Sequence, residues 1–385
     1  MIRLVALAVL ALLSGCGRRD VTASPRAVCN PSAPSDQVRF THSIQLKATY
    51  RDGYKIVDFQ PSVYTQETIR LLLVPCDSAI PRDIAADLVV RTPVSTVVTA
   101  NYGMNSALEA LGLADRVVGV GSFRGVTSPR LKQRITEGKI LEVGGGTHSN
   151  IEKTLALAPD LFLTFYSAYP QFNMHPKLWE TGLRAVPLSD HTEPTPLARA
   201  EWIKFLALFF DKEREANRIF NEVVERYQRV AQITSGIGER PQVLAGFISS
   251  RDVWHTHGGQ NYMAALIHDA GAEYFWKDQI HGSLVYVGFE RMFDAAVATE
   301  SWVTGGFLPP TLGVLRKQQP ALAWLRPVQQ ENVLNPGKGL APFAPMPYHD
   351  QSLDKPDAVL ADLIHLLHPE RLPDHRPVFF ERLPK

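Results

Sequence analysis

The 385-residue sequence has few cysteines, no excess of charge of either sign and no long hydrophobic run beyond its first residues. Its 40 basic and 39 acidic residues balance, so the charge indicates neither nucleic-acid binding nor an acidic tail. The longest later apolar stretch, 203–210, is interrupted by Lys204, whereas a membrane-spanning helix needs about 20 apolar residues. The chain therefore has the composition of a globular protein, long enough for two or three domains.

Cysteines occur only at positions 16, 29 and 76. Because structural zinc sites usually take four ligands, a zinc site built on Cys29 and Cys76 alone is not expected. In an exported protein these two residues either pair as a disulfide or remain two free thiols, and the sequence leaves both alternatives open.

The motifs of common enzyme classes are also missing. Gly144-Gly145-Gly146 lacks the Lys-Ser/Thr pair that completes a phosphate-binding P-loop. No Gly-x-Ser-x-Gly nucleophile elbow occurs. Ser352 and Lys355 match Ser-x-x-Lys, but the Ser-Asp-Asn and Lys-Thr-Gly motifs that accompany it in β-lactamases are absent. We therefore predict that the protein is not an enzyme.

The N-terminus carries the first informative pattern. Met1 and Arg3 precede an unbroken apolar run over 4–13, which ends in Leu-Ser-Gly-Cys at 13–16. A basic start, a short apolar run and a small-residue cleavage site are typical of a secretory signal. The last four residues resemble the bacterial lipobox, in which the cysteine is acylated; an ordinary signal peptide that contains a cysteine is the alternative. We predict a lipoprotein signal peptide over 1–16 and an exported protein, periplasmic or at the cell surface, anchored only by a lipid on Cys16.

Composition and periodicity divide the rest of the chain into six segments. We predict a flexible tether over 17–37, a small β meander over 38–92, an α/β lobe over 93–210, a long helix over 211–234, a second α/β lobe over 235–368 and a Pro-rich tail over 369–385. Asp52-Gly53 between two alternating runs is a hairpin signal. Continuously apolar strands that alternate with helices indicate parallel sheets covered on both faces, so the predicted fold class is α/β.

The longest helical signal lies in 211–233. Ala216, Phe220, Val223 and Tyr227 fall on one face at helical spacing. At 1.5 Å per residue this stretch would extend roughly 35 Å, which is enough to reach from one lobe to another.

Three stretches resemble class III periplasmic binding proteins, the receptor family for ferric siderophores, vitamin B12 and haem. Residues 102–120, YGMNSALEALGLADRVVGV, are similar to the opening of these proteins. Residues 150–161, NIEKTLALAPDL, match their most specific motif, and 208–213, LFFDKE, match the start of their backbone helix. The resemblance covers about residues 93–335.

The resemblance implies two Rossmann-like lobes with central parallel sheets, joined by one long backbone helix, with ligand held in the cleft between them. Such a receptor delivers ligand to an ABC permease that is driven by a cytoplasmic ATPase. We expect a monomer with no resident cofactor that captures a small metal complex, either an iron complex (ferric siderophore or haem) or a corrinoid. The alternatives are a receptor for bare Zn²⁺ or Mn²⁺ and, as a third reading, an exported hydrolase.

In this family one glutamate on each lobe docks to arginines of the permease, and the matching positions are Glu152 and Glu290. Ser149 offers a structural alternative for Glu152, because Ser-x-x-Glu is a capping box that ties the glutamate to the helix start. Val287, three residues before Glu290, has no polar side chain and cannot form such a capping box. A carboxylate in the first turn is favoured by the helix dipole in either case.

Ligand contacts are expected in loops at the carboxyl ends of parallel strands. The side chains that we predict there are aromatic, cationic or imidazole: Tyr102, Arg124, His148, Tyr166, Trp254, His257, Tyr262 and Trp302. Aromatic rings with a few cations suit a bulky, partly apolar, anionic ligand, and an arginine can grip carboxylate or hydroxamate oxygens with two hydrogen bonds. Ordinary packing of any one of them is the alternative. His255 and His257 point the same way in an extended chain, so a metal site, if there is one, would use this pair.

Overall fold

The structure is a computed structural model, and it describes residues 36–61, 67–101, 103–145, 148–167, 169–248, 253–278, 284–306, 308–337 and 347–385. The predicted signal peptide with Cys16 lies outside these residues, as do nearly all of the predicted tether and Tyr102. Within the described ranges, no helix has both the length and the apolar character needed to cross a bilayer.

A four-stranded sheet precedes the first lobe, and we refer to residues 38–92 as the β module. Its strands are β1 (Leu46–Arg51), β2 (Tyr54–Phe59), β3 (Ile69–Pro75) and β4 (Leu88–Thr92). The first three form an antiparallel meander, and Gly53 closes the first hairpin with a φ of +84°, which a glycine adopts without strain. β4 departs from the predicted meander because it pairs parallel to β3. Residues 76–87 provide the crossover connection that a parallel pair requires.

Cys76, directly after β3, is disulfide-bonded. The other two cysteines, Cys16 and Cys29, precede residue 36, so its partner lies outside the described residues. Cys76 is therefore not one of two free thiols, which was one of the alternatives that the sequence left open.

The first lobe is built on a five-stranded parallel sheet in the spatial order β7-β6-β5-β8-β9. The strands are β5 (Val97–Thr99), β6 (Val117–Val120), β7 (Leu141–Glu142), β8 (Leu161–Phe165) and β9 (Ala185–Leu188). The helices are α1 (Met104–Ala110), α2 (Pro129–Thr136), α3 (Ile151–Leu157), α4 (His175–Glu180), α5 (Pro196–Ala200) and α6 (Trp202–Ala207). Val97, Val98 and Leu163 are fully buried, as expected for a sheet covered on both faces. The strand order reverses beside β5, so a crevice opens at the carboxyl ends of β5 and β8.

One long helix, α7 (Glu213–Ala231), connects the hydrophobic cores of the two lobes. Ala216, Phe220 and Val223 belong to the first core, and Tyr227 belongs to the second. Its 19 residues correspond to about 28 Å at 1.5 Å per residue. The helix is shorter than predicted because Asp211 has a φ of +53° and 232–234 form a 3₁₀ turn. The predicted arrangement of two α/β lobes joined by one long helix is confirmed.

The second lobe contains a five-stranded sheet and a separate three-stranded sheet. The strands are β10 (Gln242–Ala245), β11 (Phe247–Ile248), β12 (Val253–His257), β13 (Glu273–Tyr274), β14 (Leu284–Gly288), β15 (Ser301–Val303), β16 (Val333–Asn335) and β17 (Glu381–Arg382). The helices are α8 (Tyr262–Asp269), α9 (Phe289–Ala298), α10 (Leu312–Gln318), α11 (Arg326–Gln329), α12 (Pro347–Gln351) and α13 (Pro356–Leu367). The larger sheet has the order β13-β10-β15-β16-β17 and is parallel except for β17. The smaller sheet, β11-β12-β14, is antiparallel, and it replaces the loops that we predicted in this region.

The C-terminal segment 369–385 is part of the second lobe and not a tail beyond it. β17 pairs antiparallel with β16, and Phe379 and Phe380 are buried in the core. The carboxylate of Asp362 on α13 accepts hydrogen bonds from the backbone N–H groups of 378, 379 and 380 at 2.6–3.1 Å. The segment folds onto the lobe because a buried carboxylate needs donors and the exposed edge of β16 needs a partner.

Helix α12 joins the two lobes a second time. Tyr348 packs in the second core, whereas Leu353, just after the helix, packs in the first. The buried carboxylate of Asp350 accepts a hydrogen bond from Asn105 Nδ2 (2.9 Å) and from the backbone N–H of Thr127 (2.7 Å), both in the first lobe. The relative position of the lobes is therefore fixed by α7 and by α12 together.

Candidate functional site

The cleft lies between the loops at the carboxyl ends of the first lobe's strands and the three-stranded sheet of the second lobe. Tyr169, just after β8, faces Tyr286 on β14 with 5.7 Å between ring centroids. Burial and the neighbouring Tyr286 phenol raise the pKa of Tyr169 to about 12. The Tyr169 phenol is thus neutral at physiological pH, and the two rings meet across the boundary between the lobes.

A row of aromatic rings extends in both directions from this contact. On the first lobe, Phe172 meets Tyr169 edge-on at 6.3 Å. On the second lobe, Tyr286 meets His255 edge-on at 4.7 Å, and His255 stacks on Phe247 at 4.9 Å. Phe172 and Tyr286 are 51% and 47% exposed, although a large ring usually gains by burial. These five residues, which we call the aromatic row, present apolar faces from both lobes to the cleft.

Three histidines, including His255 of the aromatic row, lie in this region, and burial keeps all of them neutral at pH 7. His255 and His257 lie on the same half-buried face of β12, and burial lowers the pKa of both, that of His257 to about 4. His191, in the turn after β9, stacks on Phe165 with a centroid distance of 4.5 Å. Burial also lowers the pKa of His191 to about 4, and its Nδ1 has no hydrogen-bond partner among the described residues. Neutral imidazoles keep one ring nitrogen as an acceptor.

The base of the cleft is closed by Arg199 on α5. Its Nε donates to Asp190 Oδ2 at 3.0 Å, and its Nη1 donates to Ser352 Oγ of the second lobe at 3.1 Å. The guanidinium lies 4.9 Å from the ring centre of Tyr262, the first residue of α8. The cavity beside Arg199 measures only about 10 Å³, the size of one water molecule, so it has no room for a larger ligand.

Three of the predicted ligand contacts do not face the cleft. Trp254 and Trp302 are 0% exposed, and their Nε1 groups donate to the backbone carbonyls of Ala245 and Gly246 inside the second lobe. They are core residues because β12 turns Trp254 towards the five-stranded sheet, where its ring packs against that of Trp302 on β15 with 5.1 Å between centroids. Tyr166 is also buried, and its hydroxyl donates to Glu67 Oε2 at 2.9 Å. These three assignments are corrected to structural roles.

Other predicted contacts lie at the cleft edge of the first lobe. Arg124 is exposed in the turn after β6. Hydrogen bonds from Ser122 and Phe123 lower the pKa of Glu142, and the charges of Lys153 and Arg124 add to this effect. The Arg124 guanidinium has no ion pair among the described residues within 4 Å. His148 is exposed just before α3, and its backbone N–H donates to Gly145.

The two predicted docking glutamates occupy equivalent places. Glu152 is exposed in the first turn of α3, and Glu290 is exposed in the first turn of α9. The N-cap of α3 is Asn150, whose Oδ1 accepts from the N–H of Lys153 at 2.8 Å. Asn150 and not Ser149 therefore caps the helix, so the capping box that was the structural alternative for Glu152 does not apply. The carboxylate of Glu152 is left available to a partner.

Phe165, Phe172, Phe247 and Tyr286 were missed by the sequence reasoning. Phe165 ends an apolar strand, a position that indicates the carboxyl edge of the sheet, but an apolar residue there is usually assigned to the core. Tyr286 lies in Leu-Val-Tyr-Val-Gly, which has high β propensity and would have indicated a strand.

The model of the family described as "Periplasmic binding protein" matches residues 97–306. The chain belongs to this family. The match begins after the β module. This binding protein therefore carries the β module in addition to the region that the family model covers. Members bind small ligands and work with ABC permeases.

Comparisons with whole proteins find a lipoprotein of similar sequence and solved structures of the same fold. An uncharacterized lipoprotein of Methanocaldococcus jannaschii is 23% identical to this binding protein. The aligned region covers 76% of this chain and 69% of the lipoprotein. A periplasmic haem-binding protein of Pseudomonas aeruginosa has the same fold, with a TM-score of 0.56 and 19% identity over 76% of this chain and 99% of its own. The periplasmic vitamin B12 binding protein of Vibrio cholerae has a TM-score of 0.51 and 16% identity over 73% of this chain and 99% of its own.

Proposed function

We propose that the chain is the lipid-anchored substrate-binding protein of an ABC importer, and that it captures a ferric siderophore, haem or a corrinoid. The aromatic row carries this proposal. Flat rings contributed by both lobes suit a bulky ligand with apolar faces, because one such ligand would cover the rings of both lobes and remove their apolar surface from water. The names of the haem and vitamin B12 receptors with the same fold support this ligand class.

The polar groups around the row suit an anionic metal complex. Arg124 offers an unpaired guanidinium at the cleft edge, which can bind a carboxylate or hydroxamate with two hydrogen bonds. His255 and His257 favour a second candidate, a receptor for bare Zn²⁺ or Mn²⁺, because both neutral imidazoles lie on one face of β12. A bare ion needs about four protein ligands, whereas a chelated ion brings most of its own.

A titration separates these candidates. Haemin, cyanocobalamin, a ferric hydroxamate siderophore and Zn²⁺ are each added to the purified protein, and binding is followed by calorimetry. We expect one of the three complexes to bind with micromolar or tighter affinity. If only Zn²⁺ binds, the second candidate replaces the first; if none binds and the protein hydrolyses esters or peptides, the receptor function is wrong.

Tyr286→Ala should weaken the complex that binds by about fivefold, because the ligand loses one stacking partner worth about 1 kcal/mol. Calorimetry of the variant measures this loss. Trp324→Ala is the matched control, since Trp324 is a 70% exposed ring in the connection that precedes β16. Equal affinity of Tyr286→Ala and the native protein would remove the aromatic row from the binding site.

The proposed anchor gives a separate expectation. Cys16→Ser should prevent lipidation and release the protein from the membrane fraction, because the lipid is the only proposed attachment. Fractionation and the intact mass of the mature protein measure the change. Cys76→Ser, which affects no predicted acylation site, should stay in the membrane fraction; release of neither variant would contradict the lipid anchor.

A further inference from the structure

Residues 41–45 of the β module, which we call the module segment, contact the first lobe beside the cleft. This module segment lies across residues 189–193, which follow β9 and which we call the cleft turn. Gln45 Nε2 donates to Thr192 Oγ1 at 2.7 Å, and Ser189 Oγ donates to Gln45 Oε1 at 2.7 Å. All three side chains are buried. One amide thus holds both ends of the stretch that carries His191.

The last residue of the cleft turn is tied to the same segment. The Glu193 carboxylate accepts hydrogen bonds from Ser43 Oγ, from the backbone N–H of Ile44 (3.3 Å) and from Trp202 Nε1 (2.9 Å). Glu193 is fully buried. Buried polar groups are costly when unpaired, so removal of one partner disturbs the whole network.

The opposite side of the cleft turn faces the ligand site and the second lobe. The His191 ring stacks on Phe165, and its carbonyl accepts a hydrogen bond from Asn261 Nδ2 at 3.0 Å. The carbonyl of Glu193 accepts from the backbone N–H of Tyr262 at 2.9 Å. The turn therefore lies between the β module and the second lobe, with one imidazole in the cleft.

We propose that the β module positions His191 in the cleft, and that Gln45, Ser43 and Glu193 are the positioning residues. A side chain and loop ordered before the ligand arrives need not be ordered on binding, and this raises affinity without a new contact. The module, outside the region matched by the family model, thereby becomes part of the ligand site. The proposal rests on the proposed function only in the assumption that His191 faces the ligand.

The chemistry of Glu193 adds a second readout. Burial raises the pKa of Glu193 to about 7, against hydrogen bonds from Ser43, Trp202 and Ile44, and the Glu201 carboxylate raises it further. The charged groups around it are two pairs, Glu201 with Lys204 and Asp190 with Arg199. The pKa of Glu193 in the folded protein lies above its ordinary value of 4.5. The contribution of protonated Glu193 to the stability of the fold is therefore complete below pH 4.5 and is lost as the pH rises through 7.

The test uses the full chain without ligand, labelled with ¹⁵N-histidine for NMR. Gln45→Ala and the milder Ser43→Ala each remove contacts to the cleft turn. Thr41→Ala is the matched control, because the Thr41 hydroxyl in the same segment contacts Glu201 at 3.3 Å and not the turn. We expect the His191 ring signals to shift and broaden in the first two variants and to stay in place in the third. Unchanged His191 signals in a folded Gln45→Ala protein would overturn the proposal.

Two further measurements follow from the same samples. The His191 signals of the native protein should move with a midpoint near pH 7, and Glu193→Gln should abolish this step; a step that persists in Glu193→Gln contradicts the role of Glu193. With haemin as the probe, Gln45→Ala should bind about tenfold more weakly than Thr41→Ala. If haemin binds neither, the proposed ligand class is at fault, and the ligand-free NMR result still decides the role of the module.

Discussion

Replacing Glu152 and Glu290 together by arginine should stop ligand uptake by cells, while the purified double variant binds ligand with unchanged affinity. Both carboxylates are exposed in the first turn of a helix, one on each lobe, and neither has an ion pair among the described residues. A reversed charge on both lobes places like charges against the proposed permease arginines, which costs several kcal/mol. We expect uptake to fall at least about 100-fold, equivalent to about 2.7 kcal/mol.

The matched control reverses two other exposed glutamates, one on α7 and one just before β15. Glu225→Arg together with Glu300→Arg makes the same change in net charge on other parts of the surface, so it should leave uptake within a factor of two or so of the native protein. Radiolabelled-ligand uptake and calorimetry on both double variants provide the measurements. Normal transport by the Glu152/Glu290 variant, or equal failure of both variants, would contradict the docking assignment.

The main architecture could be predicted because its signals are local. Ala216, Phe220, Val223 and Tyr227 repeat at helical spacing, and they pack along α7 into two cores as expected. The parallel strands of the first lobe are short apolar runs between helices, which is the pattern of a sheet buried on both faces. In contrast, β17 has two residues and pairs with β16, which is distant in sequence, so no local pattern indicated it.

The candidate site could be predicted less well, because one wrong element assignment changed the direction of several side chains. In a strand, neighbouring side chains point to opposite faces. Once 253–257 is the strand β12, Trp254 must face away from His255 and His257, whereas a loop allowed all three to face the ligand. The same strand brings His255 against Tyr286 of β14. This pairing depends on contacts distant in sequence, which a single sequence does not reveal.

Asp350→Ala should destabilise the fold and loosen the lobes relative to each other. The carboxylate is buried, and it accepts hydrogen bonds from Asn105 Nδ2 and from the backbone N–H and hydroxyl of Thr127 across the lobe boundary. Alanine leaves these donors buried without a partner, and breaking such a network costs about 3 kcal/mol. Chemical denaturation should show a lower free energy of unfolding, and small-angle scattering should show a larger radius of gyration.

Asp350→Asn separates the loss of hydrogen bonds from the loss of charge. Burial raises the pKa of Asp350, which shows that the protein environment disfavours the ionised form. An uncharged amide of the same shape keeps an acceptor for Thr127, and Asn105 can rotate its amide to accept from the new Nδ2 while it donates to Thr99. We therefore expect Asp350→Asn to retain most of the stability. If Asp350→Ala matches the native protein in stability and radius, α12 does not fix the lobes, and α7 alone determines how the cleft is held.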